Sequence, residues 1–206
     1  MSQKPIICIA RQYGSGGHAI GEKLAQDLNV PFYDKDLIKL AAKESGMSQE
    51  IFEEVDEKAT NSLLYSLATG AYMMGSRFSA MPEMSFNDKL FIMQANIIQE
   101  AAKKGQCVIV GRCADYVLQD KFPYVSIFIH SSLENRIKRI QTRHNLDEKT
   151  AKEQVIKMDK QRANYYNYYT DRKWGNIDGY HLIIDSCIGE ENCVTIIKDF
   201  INIFHS

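Results

Sequence analysis

Residues 6–28 read IICIARQYGSGGHAIGEKLAQDL, and the order of events in this stretch decides the fold. Ile6-Ile7-Cys8-Ile9-Ala10 is a short, uninterrupted apolar run of the kind a parallel strand needs when both of its faces are covered. Arg11-Gln12-Tyr13-Gly14-Ser15-Gly16-Gly17-His18 then breaks the run. Beyond it Ala19, Ile20, Leu24, Ala25 and Leu28 recur at helical spacing, and Asn29 ends the pattern. A strand that passes through a glycine-rich turn into a helix brings several backbone N–H groups and the positive helix end to one point. That is a phosphate site. The alternative is a tight turn that needs glycine for positive φ and binds nothing.

Outward from this unit the alternation continues. Val30-Pro31-Phe32-Tyr33-Asp34 follows the first helix, and three more apolar runs read as strands: 107–110 ending in Gly111-Arg112, 125–129, and 181–184 ending in Asp185. Helical patterns separate them, which predicts an α/β fold with a parallel sheet wrapped on both faces and a ligand beyond the carboxyl ends of the strands. About seventy residues lie between the second and third strands, far more than a crossover requires. One domain spans 1–206 on this reading. Its core covers about 1–34, 105–135 and 178–206, with a helical insertion at about 35–104 and a second, long-helix insertion at about 136–177. The helix before the long one starts at a capping box, Ser131-x-x-Glu134.

A chain of 206 residues is long enough to bury a core without disulfides or metals. Lys plus Arg total 25 against 26 Asp plus Glu, so no overall field draws it to nucleic acid, and no aromatic-basic recognition motif is present. The five cysteines show no CxxC pairing and mostly lie in apolar runs, which suits buried thiols in a reducing, cytoplasmic compartment. No apolar run approaches the ~18 residues of a membrane span.

Laid on the phosphate-loop pattern GxxxxGK[ST], the chain differs at three places: Arg11 stands for the first Gly, Gly17 for the Lys and His18 for the Ser or Thr. The lysine charge and the hydroxyl metal ligand are therefore missing. Arg11 can bring a fork-shaped guanidinium to the same anion, and His18 can donate a hydrogen bond. Arg136, Arg139 and Arg143 share a helix face beside Leu133, Ile137 and Ile140, either as a solvated basic face or as charge for a transferred phosphoryl group, with Arg139 the best candidate. Arg162 adjoins Tyr165, Tyr166, Tyr168, Tyr169 and Trp174. Those aromatics read first as packing or a subunit interface, which leaves a homo-oligomer open, and second as a base-stacking surface. Asp34 reads as a site residue, Asp36 as a helix cap. Met73, Met74, Met81 and Met84 read as a core of the insertion.

Residues 7–24 (ICIARQYGSGGHAIGEKL), 31–38 (PFYDKDLI), 108–112 (VIVGR), 131–139 (SSLENRIKR) and 182–186 (LIIDS) resemble the cytidylate kinase-like proteins, relatives of the nucleoside monophosphate kinases, and the resemblance spans almost the whole chain. It implies a three-layer P-loop kinase fold with a five-stranded parallel sheet, a helical substrate-binding insertion and an arginine-rich lid. It also implies ATP with Mg²⁺ as donor and CMP or dCMP as acceptor. By position, Gly14, Ser15, Gly16, Gly17 and His18 would wrap the donor phosphates. Arg112 would hold the acceptor monophosphate with Asp34 nearby, and Arg139 and Arg162 correspond to lid arginines that act with Arg11. The residues leave two other functions standing: a kinase of another small molecule, and a nucleotide-binding regulatory protein whose altered loop no longer transfers phosphate. The metal ligands are not assigned.

Overall fold

The five apolar runs form strands: β1 (Ile6–Arg11), β2 (Phe32–Tyr33), β3 (Val108–Val110), β4 (Tyr124–His130) and β5 (Leu182–Asp185). They belong to a computed structural model that describes residues 4–34 and 85–204. The strands make one sheet in the order β2-β3-β1-β4-β5. Every neighbouring pair is parallel, with Ile7 opposite Val108 on one side and Val125 on the other.

Because side chains alternate along a strand, β1 feeds two cores. Ile7 and Ile9 join Val108, Val110, Ile127 and Ile129 on one face, under α1 (Gly17–Leu28) and α6 (Glu190–Phe204). Ile6 and Cys8 join Ile109 on the other, under α2 (Phe86–Lys103) and α3 (Ala114–Leu118). Each of these fully buried aliphatic side chains contributes about 1.5–3 kcal/mol, so the β1 backbone is held from both faces. From β1 the chain runs to β2 and back to β3 on one side, then crosses β1 to β4 and β5 on the other, so strand order switches between β3 and β1. The crevice at this switch point is where open α/β sheets bind ligands, and the glycine loop opens into it.

Two more helices, α4 (Leu133–His144) and α5 (Glu148–Thr170), stand over the same edge. The helix boundaries correct two expectations. The α4 cap is Ser132, whose side chain accepts from Asn135 N at 3.2 Å, while Ser131 is buried and donates its own N–H to Gln12 Oε1. Glu134 turns away to pair with Lys138. Leu133 is 40% exposed and does not continue the stripe of Ile137 and Ile140. The long helix forms as expected, with Asp147 as its N-cap and Asp171 ending it at φ 51°. α1 ends at Asn29, which takes the left-handed conformation at φ 52°.

Cys8, Cys107, Cys113 and Cys193 are buried free thiols, whereas Cys187 is exposed. No helix among the described residues is long and apolar enough to cross a membrane. Asp36, Met73, Met74, Met81 and Met84 lie outside the described residues.

Candidate active site

The loop between β1 and α1 is built around backbone geometry that only glycine supplies cheaply. Gly14 and Gly16 have φ of 78° and 82°. At Gly14 a Cβ would also come within 2.9 Å of the Arg136 carbonyl oxygen. The first intrahelical bond of α1 runs from Ile20 N to Gly16 O. The N–H groups of Gly16 through Ala19 therefore have no intrahelical acceptor and form the positive end of the helix. Ser15 is fully buried, its carbonyl held by Ser186 Oγ at 2.6 Å behind β5.

The loop carbonyls are turned outward and held by arginines. Arg162 donates to Arg11 O at 2.9 Å, Arg136 to Tyr13 O at 3.3 Å and Arg139 to Gly14 O at 2.8 Å. Asp159 of α5 accepts from Tyr13 N at 2.7 Å and pairs with Arg136 at 2.5 Å. Among the loop N–H groups, those of Gln12, Tyr13, Ser15 and Gly17 donate to Ile129 O, Asp159 Oδ1, Gln12 O and Ser15 Oγ, which leaves Gly14, Gly16, His18 and Ala19 as the donors an anion could use.

Gly17, in the lysine position of the phosphate loop, lies against Arg11. A Cβ at Gly17 would sit 2.6 Å from Arg11 Cβ and 3.1 Å from its Cγ. The Arg11 side chain fills that space, passes over Gly111, where a Cβ would collide with Nη1, and reaches Asp34 Oδ1 at 3.3 Å. Glycines at 17 and 111 leave the Arg11 side chain room along this path.

Asp34 joins the predicted residues at one point. His18 Nε2 lies 3.1 Å from Asp34 Oδ2, and the His18 ring meets the Phe32 edge. Burial would raise the Asp34 carboxyl, but the His18 hydrogen bond and the charges of Arg11, His18 and Arg112 outweigh it and hold it below the ordinary carboxylate value. Burial works the other way on the cations. It lowers Arg11 and Arg112, and together with repulsion from Arg11 it pulls Arg162 down to about 9. Five guanidiniums, those of Arg11, Arg112, Arg136, Arg139 and Arg162, thus surround the loop against the carboxylates of Asp34 and Asp159. Such crowding is relieved by an anion.

These positions match a known family over most of the chain: the profile of the cytidylate kinase-like family aligns with residues 6–187. The chain belongs to the cytidylate kinase-like family. An uncharacterized protein from Eubacterium ventriosum is 30% identical to this family member, with a TM-score of 0.69 over 96% of this chain and 98% of that one. Shikimate kinase from Bacteroides thetaiotaomicron is 14% identical, with a TM-score of 0.53 over 96% and 98%. Shikimate kinase from Acinetobacter baumannii in complex with shikimate is also 14% identical, at 0.51 over 96% and 92%. The last two share the fold with the cytidylate kinase-like chain. No curated protein sequence matches it.

Not every predicted residue meets the loop. Arg143 is exposed, whereas Arg136, on the same helical face, is only 7% exposed and inside the site. Asp185 accepts from Cys187 N and caps its own turn. Tyr166 bonds Asp115, Tyr169 stacks on Phe91, Trp174 packs edge-on against Phe128, and Tyr168 is exposed. Tyr165 lies near Arg112. The roles of Tyr13, Arg136 and Asp159 were not predicted. Their common signal is a buried pair twenty-three residues apart on two helices, and linear spacing does not carry it.

The residues do not fit a protein-held Mg²⁺ of the usual phosphate-loop kind. The hydroxyl position is His18, whose ring is turned onto Asp34. Among the described residues no cluster of three or more His, Cys, Asp or Glu side chains has metal-binding geometry.

Proposed function

We propose that this cytidylate kinase-like protein transfers the terminal phosphoryl group of ATP to a nucleoside monophosphate, with CMP or dCMP the leading acceptors. The observation that carries this reading is the cation beside the loop: Arg11 fills the space beside Gly17 and ends among Asp34, Gly111 and His18. Phosphoryl transfer depends mainly on positioning and charge neutralisation, so a guanidinium delivered from β1 serves where the lysine is absent. The N–H groups of Gly14, Gly16 and His18 would cradle the donor phosphates, and Arg112 would hold the acceptor phosphate. Arg139 and Arg162 would keep the loop open to the anion by occupying its carbonyls. Magnesium would arrive on the nucleotide, and no step is assigned to it here.

A second reading is a nucleotide-binding regulatory protein without transfer; Gly17 and His18 in place of lysine and hydroxyl favour it. A coupled ADP-release assay with Mg-ATP and CMP, dCMP, UMP, AMP and GMP separates the two, with Arg112→Ala as the site control. Turnover selective for one acceptor and lost in the variant supports the kinase. ATP binding with no turnover on any acceptor refutes it in favour of the second reading.

A further inference from the structure

α2 turns Leu90, Gln94, Ile97, Ile98 and Ala101 toward the protein interior, at the i, i+4, i+7, i+8 spacing of a core-facing stripe. Gln94 is the polar member and is 1% exposed. Its Oε1 accepts the Tyr165 hydroxyl at 3.0 Å, while its Nε2 has no partner among the described residues. A buried, unpartnered amide N–H₂ is destabilising, a loss that leucine in the same stripe would avoid.

The surroundings of that amide have the chemistry of a base pocket. Phe91 meets Tyr165 edge-on at 6.4 Å and stacks on Tyr169 at 4.1 Å, and Tyr165 lies 4.9 Å from Tyr169. Tyr169 is fixed by donating to Asp88. The three rings make an aromatic wall between α2 and α5. Tyr165 also lies within electrostatic reach of Arg112. Arg112, Tyr165 and Gln94 therefore run in sequence from the sheet edge to the wall: a guanidinium for an anion, rings for a planar group, and an unmet donor at the far end.

We infer that Gln94 is a specificity-determining residue, whose Nε2 donates to a carbonyl oxygen or ring nitrogen on the base of the acceptor nucleotide. This rests on the proposed kinase reading. For cytosine the facing atoms are O2 and N3, and Tyr165 holds the amide so that its N–H₂ faces them. A site that offers a buried donor discriminates strongly against acceptors that cannot use it, because the donor is then left unmet.

The test compares wild type, Gln94→Leu and Gln94→Met on the best nucleoside monophosphate and on ribose 5-phosphate, which carries the phosphate without the base. In wild type the nucleotide is preferred. Both variants are expected to raise the nucleotide KM at least tenfold, which is about 1.4 kcal/mol, with the ATP KM changed less than about twofold. The preference for nucleotide over ribose phosphate shrinks by the same factor. An unchanged preference with a lowered melting temperature overturns the inference and makes Gln94 a packing anchor for Tyr165. Wild type that turns over no nucleoside monophosphate overturns the kinase reading, and the inference falls with it.

Discussion

Gly17→Ala adds one methyl group where the structure leaves no room for it. The new Cβ would lie 2.6 Å from Arg11 Cβ, 3.1 Å from Arg11 Cγ and 3.4 Å from Ile129 Cβ. Arg11 Cβ is rooted in the central strand and cannot swing aside. Glycine to alanine in a helix ordinarily gains up to about 1 kcal/mol; overpacking at this contact costs about 1–3 kcal/mol and reverses the sign. With the helix gain of about 1 kcal/mol subtracted, a net cost of up to about 2 kcal/mol should lower the melting temperature of a chain of this length by up to roughly 8 °C. The substitution should also be coupled to residue 11. Arg11→Gly removes the opposing Cβ, so the double variant Arg11→Gly/Gly17→Ala should recover at least about 1 kcal/mol relative to additivity in chemical denaturation. The functional arm uses Gly17→Lys. Alone it should destabilise. Combined with Arg11→Gly it returns the cation to its usual place, and ADP release should rise at least about tenfold over Arg11→Gly, itself down roughly 10²–10³-fold. A Gly17→Ala protein that melts at or above wild type, or strictly additive effects, refutes the view that the two positions exchanged roles.

Three further outcomes are expected. Asp159→Ala leaves Arg136 buried without its carboxylate and Tyr13 N without its acceptor, and should cost about 3–5 kcal/mol in urea unfolding; Lys138→Ala, on the exposed face of α4, should leave the unfolding midpoint essentially unchanged. Asp34 titrates below the ordinary carboxylate value in the folded chain, so the unfolded chain takes up the extra proton first. Its contribution is complete above the ordinary carboxylate range and is lost as pH falls through the folded value. Melting curves of Asp34→Asn should therefore lack part of the acid-side loss seen in wild type and show little added pH dependence near neutrality. Saturating Mg-ATP, at about one hundred times Kd, should stabilise the wild type by about 2.7 kcal/mol, measurable as a rise in melting temperature. Arg162→Ala, by releasing the Arg11 carbonyl, should reduce that rise by at least half at the same ATP concentration.

The sheet and its order of elements were legible because the signals are local. Ile6 to Ala10, Val108 to Val110 and Val125 to Ile129 are apolar runs too short for helices, and Asn29 marks a helix end by tolerating left-handed backbone. The position of Asp34 and Arg112 at the carboxyl edge followed from topology alone. What sequence left out depends on where side chains point. Ser131 and Ser132 are the same residue type in the same neighbourhood, and only the backbone shows that the first is committed to Gln12 and the second to the cap. Arg136 and Arg143 occupy one helical face, yet Asp159 makes the first a buried partner and nothing comparable draws in the second. Gln94 left a readable trace, a polar residue in an otherwise apolar stripe, but its unpartnered nitrogen needed coordinates.

The three carbonyl contacts from Arg136, Arg139 and Arg162 tie α4 and α5 to the loop as one mechanical part. A grafting experiment would expose this. Transplanting residues 11–18 alone into another kinase of this fold would deliver a loop whose carbonyls have lost their clamps, and it would relax toward whatever turn the host prefers. Conversely, replacing the whole of residues 11–18 here would leave Arg136, Arg139 and Arg162 aimed at carbonyls no longer in position. The smallest portable unit is the loop with both helices.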